Sequence, residues 1–223
     1  GTISSEAADE LVNLGVERKK IEITGWFTLE RAIDFSTEAE KDIIFRNLHI
    51  SKESRIVVSG STWRGEEGLF IRAFKEVARS RRDLVMIIAP REIRRSDEIC
   101  DLVSKAGLVP KKRSLFGEAE NGTIGSGEIL ILDTTRELYK IYAIASLTLV
   151  GGSFVTYLRP GGGDIAEPLL RGSPIIVGPH TLWWGRLIEE MRLKRARDCR
   201  ELKDAMEYLL DNPRIAIESR DFA

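Results

Sequence analysis

Three segments of this sequence carry residue types suited to handling an anion or a sugar. The first is Ser59-Gly60-Ser61-Thr62-Trp63-Arg64-Gly65-Glu66-Glu67. Its small residues can present backbone amides and the hydroxyls of Ser61 and Thr62 to an anion at a helix start. Glu66 and Glu67 equally suit a first helical turn through the helix dipole, with no ligand at all, and both readings stay open. The segment is neither a G-x-G-x-x-G fingerprint nor a P-loop, so hydride transfer and P-loop hydrolysis lose support. The second segment is Pro90-Arg91-Glu92-Ile93-Arg94-Arg95, directly after an apolar run. An arginine held there by a preceding proline can fork onto a phosphate. A solvated basic turn describes Arg94 and Arg95 better than Arg91, which is nearest the run.

The third segment is the most informative. Leu149-Val150-Gly151-Gly152-Ser153 is followed by Pro160-Gly161-Gly162-Gly163-Asp164-Ile165-Ala166-Glu167-Pro168. Glycine clusters permit close backbone approach to a ligand, and their amides can form an anion nest. Glu167, one turn into the next helix, can accept hydrogen bonds from the two hydroxyls of a ribose. Asp164-x-x-Glu167 also fits a variant capping box, although a cap alone does not call for three consecutive glycines. The candidate binding residues are therefore Ser61, Thr62, Arg91, Gly151, Gly152, Ser153, Gly162, Gly163, Asp164 and Glu167. Of the lesser features, Thr134 or Thr135 reads as an N-cap, and His180 is either a donor to a phosphate or a structural hydrogen-bonding group.

These segments need a frame, and the apolar patterning supplies one. Buried strands are expected at Arg55–Ser59, Leu84–Ala89, Lys111–Leu115, Glu128–Leu132, Leu147–Val150 and Pro174–Val177, with short strands at Ile21–Thr24 and Arg195–Ala196. Helices are expected at Ser4–Leu14, Ser36–Asn47, Glu66–Ser80, Ser96–Ala106, Arg136–Ala145, Asp164–Arg171, Leu182–Met191 and Arg200–Leu210, and a glycine-rich loop at Gly117–Gly127. The alternation predicts an α/β fold, a Rossmann-like parallel sheet with helices on both faces. In such a sheet ligands bind beyond the carboxyl ends of the strands, where all three segments lie.

Composition narrows the function. With 34 Lys+Arg against 35 Asp+Glu in 223 residues, the chain has almost no net charge, which disfavours a nucleic-acid binder driven by net charge. Two cysteines, Cys100 and Cys199, and two histidines, His49 and His180, are too few for a disulfide framework or a zinc cluster, so no metal is expected. No apolar run approaches the roughly 18 to 20 residues of a membrane span, and a soluble chain is expected. It begins at Gly1 rather than Met, which reads as a piece of something longer.

The order of the blocks resembles the C-terminal, donor-binding half of bacterial 3-deoxy-D-manno-octulosonic acid (Kdo) transferases. The matching residues are Ser4-Ser5-Glu6, Leu14-Gly15-Val16, Ile23-Thr24-Gly25, Ser61-Thr62, Gly65-Glu66-Glu67, Pro90-Arg91, Arg113-Ser114, Asp133-Thr134, Glu137-Leu138, Val150-Gly151-Gly152-Ser153, Glu167-Pro168 and Gly178-Pro179-His180-Thr181. The resemblance implies a GT-B fold, with residues 1–24 ending the connection from an N-terminal domain and residues 25–223 forming the nucleotide-sugar-binding domain. It implies that Arg91 meets the phosphate of CMP-Kdo, that Gly151 and Gly152 line the nucleotide and that Glu167 holds the ribose. It further implies no cofactor, no metal, a lipid A precursor as acceptor, a catalytic carboxylate in the N-terminal domain and so none in this chain. The whole enzyme would work on the cytoplasmic side of the bacterial inner membrane. The chain departs from the family pattern at Trp63 and Gly163, where the family has His, at Asp164, where it has Asn, and at Arg136, where it has Gly. Alternatives are a UDP-sugar-using GT-B transferase or epimerase, and a nucleotide-binding module that has lost catalysis.

Overall fold

A computed structural model of the chain describes residues 1–2, 5–24, 36–116, 123–156, 163–181 and 184–213. It divides into two units, Gly1–Asp34 and Phe35–Ala223. The first contains helix α1 (Ser5–Asn13), a 3-10 turn at Arg18–Lys20 and a single parallel bridge between Thr2 and Ile23. That bridge is what stands for the strand expected over Ile21–Thr24. Among the described residues Thr2 pairs there, donating to the Glu22 carbonyl and accepting from the Thr24 amide. The division expected between residues 24 and 25 falls at the edge of 25–35, outside the described residues.

The second unit opens with α2 (Glu38–Asn47), started by a capping box in which Thr37 and Glu40 satisfy each other's amides. Seven parallel strands follow: β1 (Arg55–Thr62), β2 (Leu84–Pro90), β3 (Val109–Lys112), β4 (Glu128–Ile131), β5 (Ala145–Val150), β6 (Ile175–Val177) and β7 (Lys194–Arg195). Their spatial order is β3-β4-β2-β1-β5-β6-β7. Two hydrophobic cores explain why the central strands read as unbroken apolar runs. Val57, Met86 and Ile88 pack with Phe70 and Phe74 of α3 (Glu67–Ala78), Ile99 of α4 (Ser96–Lys105) and Met206 of α8 (Cys199–Asp211). The alternate residues Ile56, Val58 and Ile87 pack on the opposite face with Leu48, Ile141 and Tyr142.

The predicted α/β architecture is present, with shifted boundaries. Strand β3 lies two residues before the expected Lys111, and Arg113–Leu115 winds into a 3-10 turn. Pro110 is tolerated because β3 is an edge strand. The helix expected over Arg136–Ala145 contracts to α5 (Leu138–Ile141) and a 3-10 turn at Tyr142–Ile144. Arg136 has φ +65°, a left-handed conformation outside the helix region. Two further helices, α6 (Ala166–Leu170) and α7 (Gly185–Glu190), are also shorter than their sequence pattern. From β1 the chain passes to β2 and then to the edge strand β3, returns to β4 between them, and crosses to β5, β6 and β7 on the other side of β1. The carboxyl ends of β1 and β5 therefore form the topological switch point, where this class of sheet binds ligands.

Candidate functional site

At the switch point the backbones meet without side chains between them. Gly60 of β1 is in register with Val150 of β5, and the pairing of β1 with β2 is interrupted between Gly60 and Thr62. Ser61, at the interruption, has φ +53°. A Cβ on Gly60 would lie 2.0 Å from the Tyr142 hydroxyl, one on Gly151 2.4 Å from the Ser61 carbonyl, and one on Gly163 2.2 Å from the Gly151 carbonyl. A side chain at Gly151 or Gly163 would force the loops apart, and one at Gly60 would displace the Tyr142 phenol. The Trp63 indole and the Gly163 amide both reach within 3.2 Å of the Cβ position of Gly152. Two of the departures from the family pattern therefore sit on the same glycine turn.

The amides of that turn are occupied. Glu66 is fully buried; one carboxylate oxygen accepts from the Gly152 amide (2.7 Å) and the Trp63 amide (2.8 Å), the other from the Phe154 amide (2.9 Å). The anion nest expected for a ligand is filled by the protein's own carboxylate, which ties the β1 loop to the β5 loop. Burial pushes the Glu66 carboxyl above the usual range, the three amides pull it back, and neighbouring Glu67 adds to the rise. Glu67 is buried as well, accepting from the Thr62 hydroxyl (3.0 Å) and from both ends of the Arg95 guanidinium (2.7 and 3.2 Å). Burial lowers the pKa of Arg95, but its bonds to Glu67 and Glu98 more than reverse this. Ser153, also buried, donates to the Val150 carbonyl and accepts from the Gly178 amide, stitching the ends of β5 and β6.

What remains available lies above this floor. The Arg91 amide donates to the Thr62 carbonyl (2.9 Å), while its exposed guanidinium has no hydrogen bond or ion pair among the described residues. Glu167 is exposed on α6, yet burial by its surroundings raises its carboxyl pKa, the Asp164 charge raises it further and Arg91 lowers it. Asp164 accepts from the Ala166 amide (2.8 Å), a local turn rather than a box closed on Glu167. The buried Tyr142 phenol, under Gly60, is pushed up by burial and then by Glu167 and Asp164. Glu167 thus feels the charges of Asp164 and Arg91, and Tyr142 those of Glu167 and Asp164. A cavity of about 270 Å³ beside Arg91 is lined by Thr62, Trp63, Arg64, Glu92, Arg94 and Arg95. A second, wider cavity of about 610 Å³ opens at the ends of β3 and β4, between Arg113, Ser114, Asp133, Thr134 and Glu137. Asp133 accepts from the Ser114 amide (2.8 Å) and hydroxyl (2.5 Å). Thr134 donates to Glu137, so it steadies the loop and does not cap α5, whose N-cap position is Glu137 itself.

Of the candidate residues, Arg91, Asp164 and Glu167 converge with free or partly free charge. Thr62, Gly151, Gly152 and Ser153 form the floor, with their hydroxyls or amides committed internally. Ser61 and Gly163 shape the backbone, and Gly162 lies outside the described residues. The Glu66 latch had a visible signal, two adjacent glutamates after glycine, but adjacency does not reveal that one of them turns back into a loop 86 residues away. Among the described residues no group of three or more His, Cys, Asp or Glu is arranged to hold a metal, and no helix is long and apolar enough to cross a membrane.

The fold is that of the Rossmann-like, C-terminal half of GT-B glycosyltransferases. No protein-family model matches the chain, but individual relatives do. It is 28% identical over 205 residues to the 3-deoxy-D-manno-octulosonic acid transferase of Chlamydophila psittaci, covering 91% of this chain and 45% of that protein. It is 37% identical over 130 residues to the enzyme of the same name from Bordetella pertussis, covering 56% of this chain and 29% of that protein. The C-terminal CMP-Kdo binding domain of WaaA from Acinetobacter baumannii superposes with a TM-score of 0.69 at 23% identity, over 82% of this chain and 93% of that domain. The chain is similar to part of these transferases and spans less than half the length of the curated relatives it matches.

Proposed function

We propose that this chain is the donor-binding domain of a Kdo-transferase-like glycosyltransferase that moves Kdo from CMP-Kdo to a lipid A precursor. The observation that carries the reading is the free Arg91 guanidinium at the switch point, within electrostatic reach of Glu167, in a chain similar to Kdo transferases. Arg91 would neutralise the phosphate of the nucleotide, and Glu167 would accept hydrogen bonds from its ribose hydroxyls. In the transfer, an acceptor hydroxyl oxygen bonds to the anomeric carbon as the bond from that carbon to the phosphate oxygen breaks. The electron pair leaves with CMP, whose growing charge Arg91 stabilises. The hydroxyl proton goes to a base outside this chain, on an N-terminal domain that also holds the acceptor at the cytoplasmic face of the inner membrane.

Calorimetric titration of the chain with CMP, UDP and GDP, repeated with Arg91→Ala and Glu167→Ala, tests this. Selective CMP binding, lost in both variants, is expected. A preference for UDP would replace the reading with another GT-B transferase, and no binding in any titration would remove the donor site from this chain.

A further inference from the structure

We propose that the cavity beside Arg91 is a second anion site, in which Arg64 and Arg94 take an oxyanion other than the first phosphate of the nucleotide. The shared chemistry is that of a carboxylate on the donor sugar or a further phosphate in the donor. The proposal rests on the nucleotide-sugar reading above.

Four guanidinium groups and one carboxylate line this space of about 270 Å³, and they are not equivalent. Arg95 is fixed: its side chain is 8% exposed and its partner Glu67 is 0% exposed. Arg91 has no hydrogen-bonding or ion-pair partner to give up among the described residues. Arg64 and Arg94 are held only by exposed pairs, Arg64 to Glu98 at 2.8 Å and Arg94 to Glu92 at 2.8 Å. Pairs of this kind contribute little and exchange readily for an incoming anion. The exchange strands no buried charge. Glu98 keeps its two bonds to Arg95, and Glu92, the one carboxylate of the lining, stays open to water. Trp63, whose indole lies against Gly152, is part of the lining. A water occupies about 30 Å³ of liquid, so the space holds a phosphate or carboxylate group with room to spare. Planar forks on two loops suit a tetrahedral or trigonal oxyanion better than a point charge would.

The first test titrates inorganic pyrophosphate into the chain and follows tryptophan emission, with Trp63→Phe identifying the reporter. The signal is expected in the wild-type chain and absent in W63F. The double variant R64A/R94A is expected to bind pyrophosphate about tenfold more weakly, the loss of two exposed charge contacts. The second test compares CMP with CDP and with CMP-N-acetylneuraminate by calorimetry. Tighter binding of CDP assigns the anion to a phosphate, tighter binding of the sugar nucleotide to a carboxylate. Either gain should vanish in R64A/R94A while CMP affinity stays unchanged. The proposal is overturned if R64A/R94A binds pyrophosphate as tightly as the wild type, or if CMP binds and neither ligand with a second anion binds better. If CMP fails to bind while pyrophosphate still depends on Arg64 and Arg94, the nucleotide reading fails and the anion site stands.

Discussion

Glu66→Ala removes the acceptor of three backbone amides in one step. Two of them, Gly152 and Phe154, belong to the β5 loop, and the third, Trp63, to the β1 loop. Each buried donor left unsatisfied costs about 1–3 kcal/mol. The carboxylate also carries a burial penalty of its own, visible in its raised pKa, and truncation recovers part of that. The net expectation is a loss of about 3 kcal/mol, a large share of the roughly 5–15 kcal/mol of a typical domain. Glu66→Gln keeps one oxygen. Placed where it meets Gly152 and Trp63, that oxygen leaves the amide NH₂ facing the Phe154 N–H, so about 1–2 kcal/mol is lost. Equilibrium guanidinium denaturation followed by circular dichroism reads both changes, with the denaturant slope unaltered. Formate, a carboxylate small enough for the vacated space, is expected to stabilise E66A in proportion to its occupancy and to leave the wild type unmoved. The reasoning is refuted if E66A lies within about 0.5 kcal/mol of the wild type, since no unmet amide is that cheap in a buried setting.

Two further expectations follow from single residues. Arg136 holds φ +65° with a side chain that disfavours it, so Arg136→Gly is expected to raise stability by about 0.5–1 kcal/mol, net of the extra freedom of glycine in the unfolded chain; a lower denaturation midpoint would contradict this. The folded-state pKa of Glu167 is raised above 4.5, so between 4.5 and the raised value the folded chain binds a proton that the unfolded chain does not. Its contribution is therefore fully present below pH 4.5 and is lost as pH rises through the folded value. Glu167→Gln should thus be more stable than the wild type at neutral pH, with the difference closing on acidification, while binding nucleotide more weakly; denaturation curves across pH and calorimetry check the two halves.

The sheet was legible because its central strands are buried on both faces, which writes RIVVS and LVMIIA as continuous apolar runs. Arg91 was legible for the same reason, since the end of such a run fixes where the next side chain emerges. The short elements were not. The helix at Arg136 looked longer because side-chain periodicity does not report a positive φ, and β3 was placed late because Pro110 reads as a break unless the strand is known to lie at an edge. Glycine clusters suit ligand contact by their composition, and in the structure Gly151 and Gly163 make room for neighbouring backbone. Composition cannot separate these uses, because both require the absence of a Cβ. Long-range pairs such as Glu66 with Gly152 and Glu67 with Arg95 leave no local trace at all.

The two adjacent glutamates settle where positive charge is left at this site. Glu66 consumes the amides that would otherwise attract an anion to the backbone, and Glu67 neutralises the arginine nearest the core. Arg91 is left as the guanidinium without a partner among the described residues, with Arg64 and Arg94 in weak exposed pairs beside it. Attraction for a phosphate or carboxylate therefore resides in side chains on the loops after β1 and β2, while the glycine floor sets only distance. Side chains on loops can be exchanged without disturbing the sheet, and the floor cannot, because Gly151 and Gly163 abut neighbouring backbone and Gly60 abuts the Tyr142 phenol. On this division, Trp63, Arg64, Arg94 and Asp164 can be exchanged without rebuilding the sheet, whereas Gly60, Gly151 and Glu66 cannot.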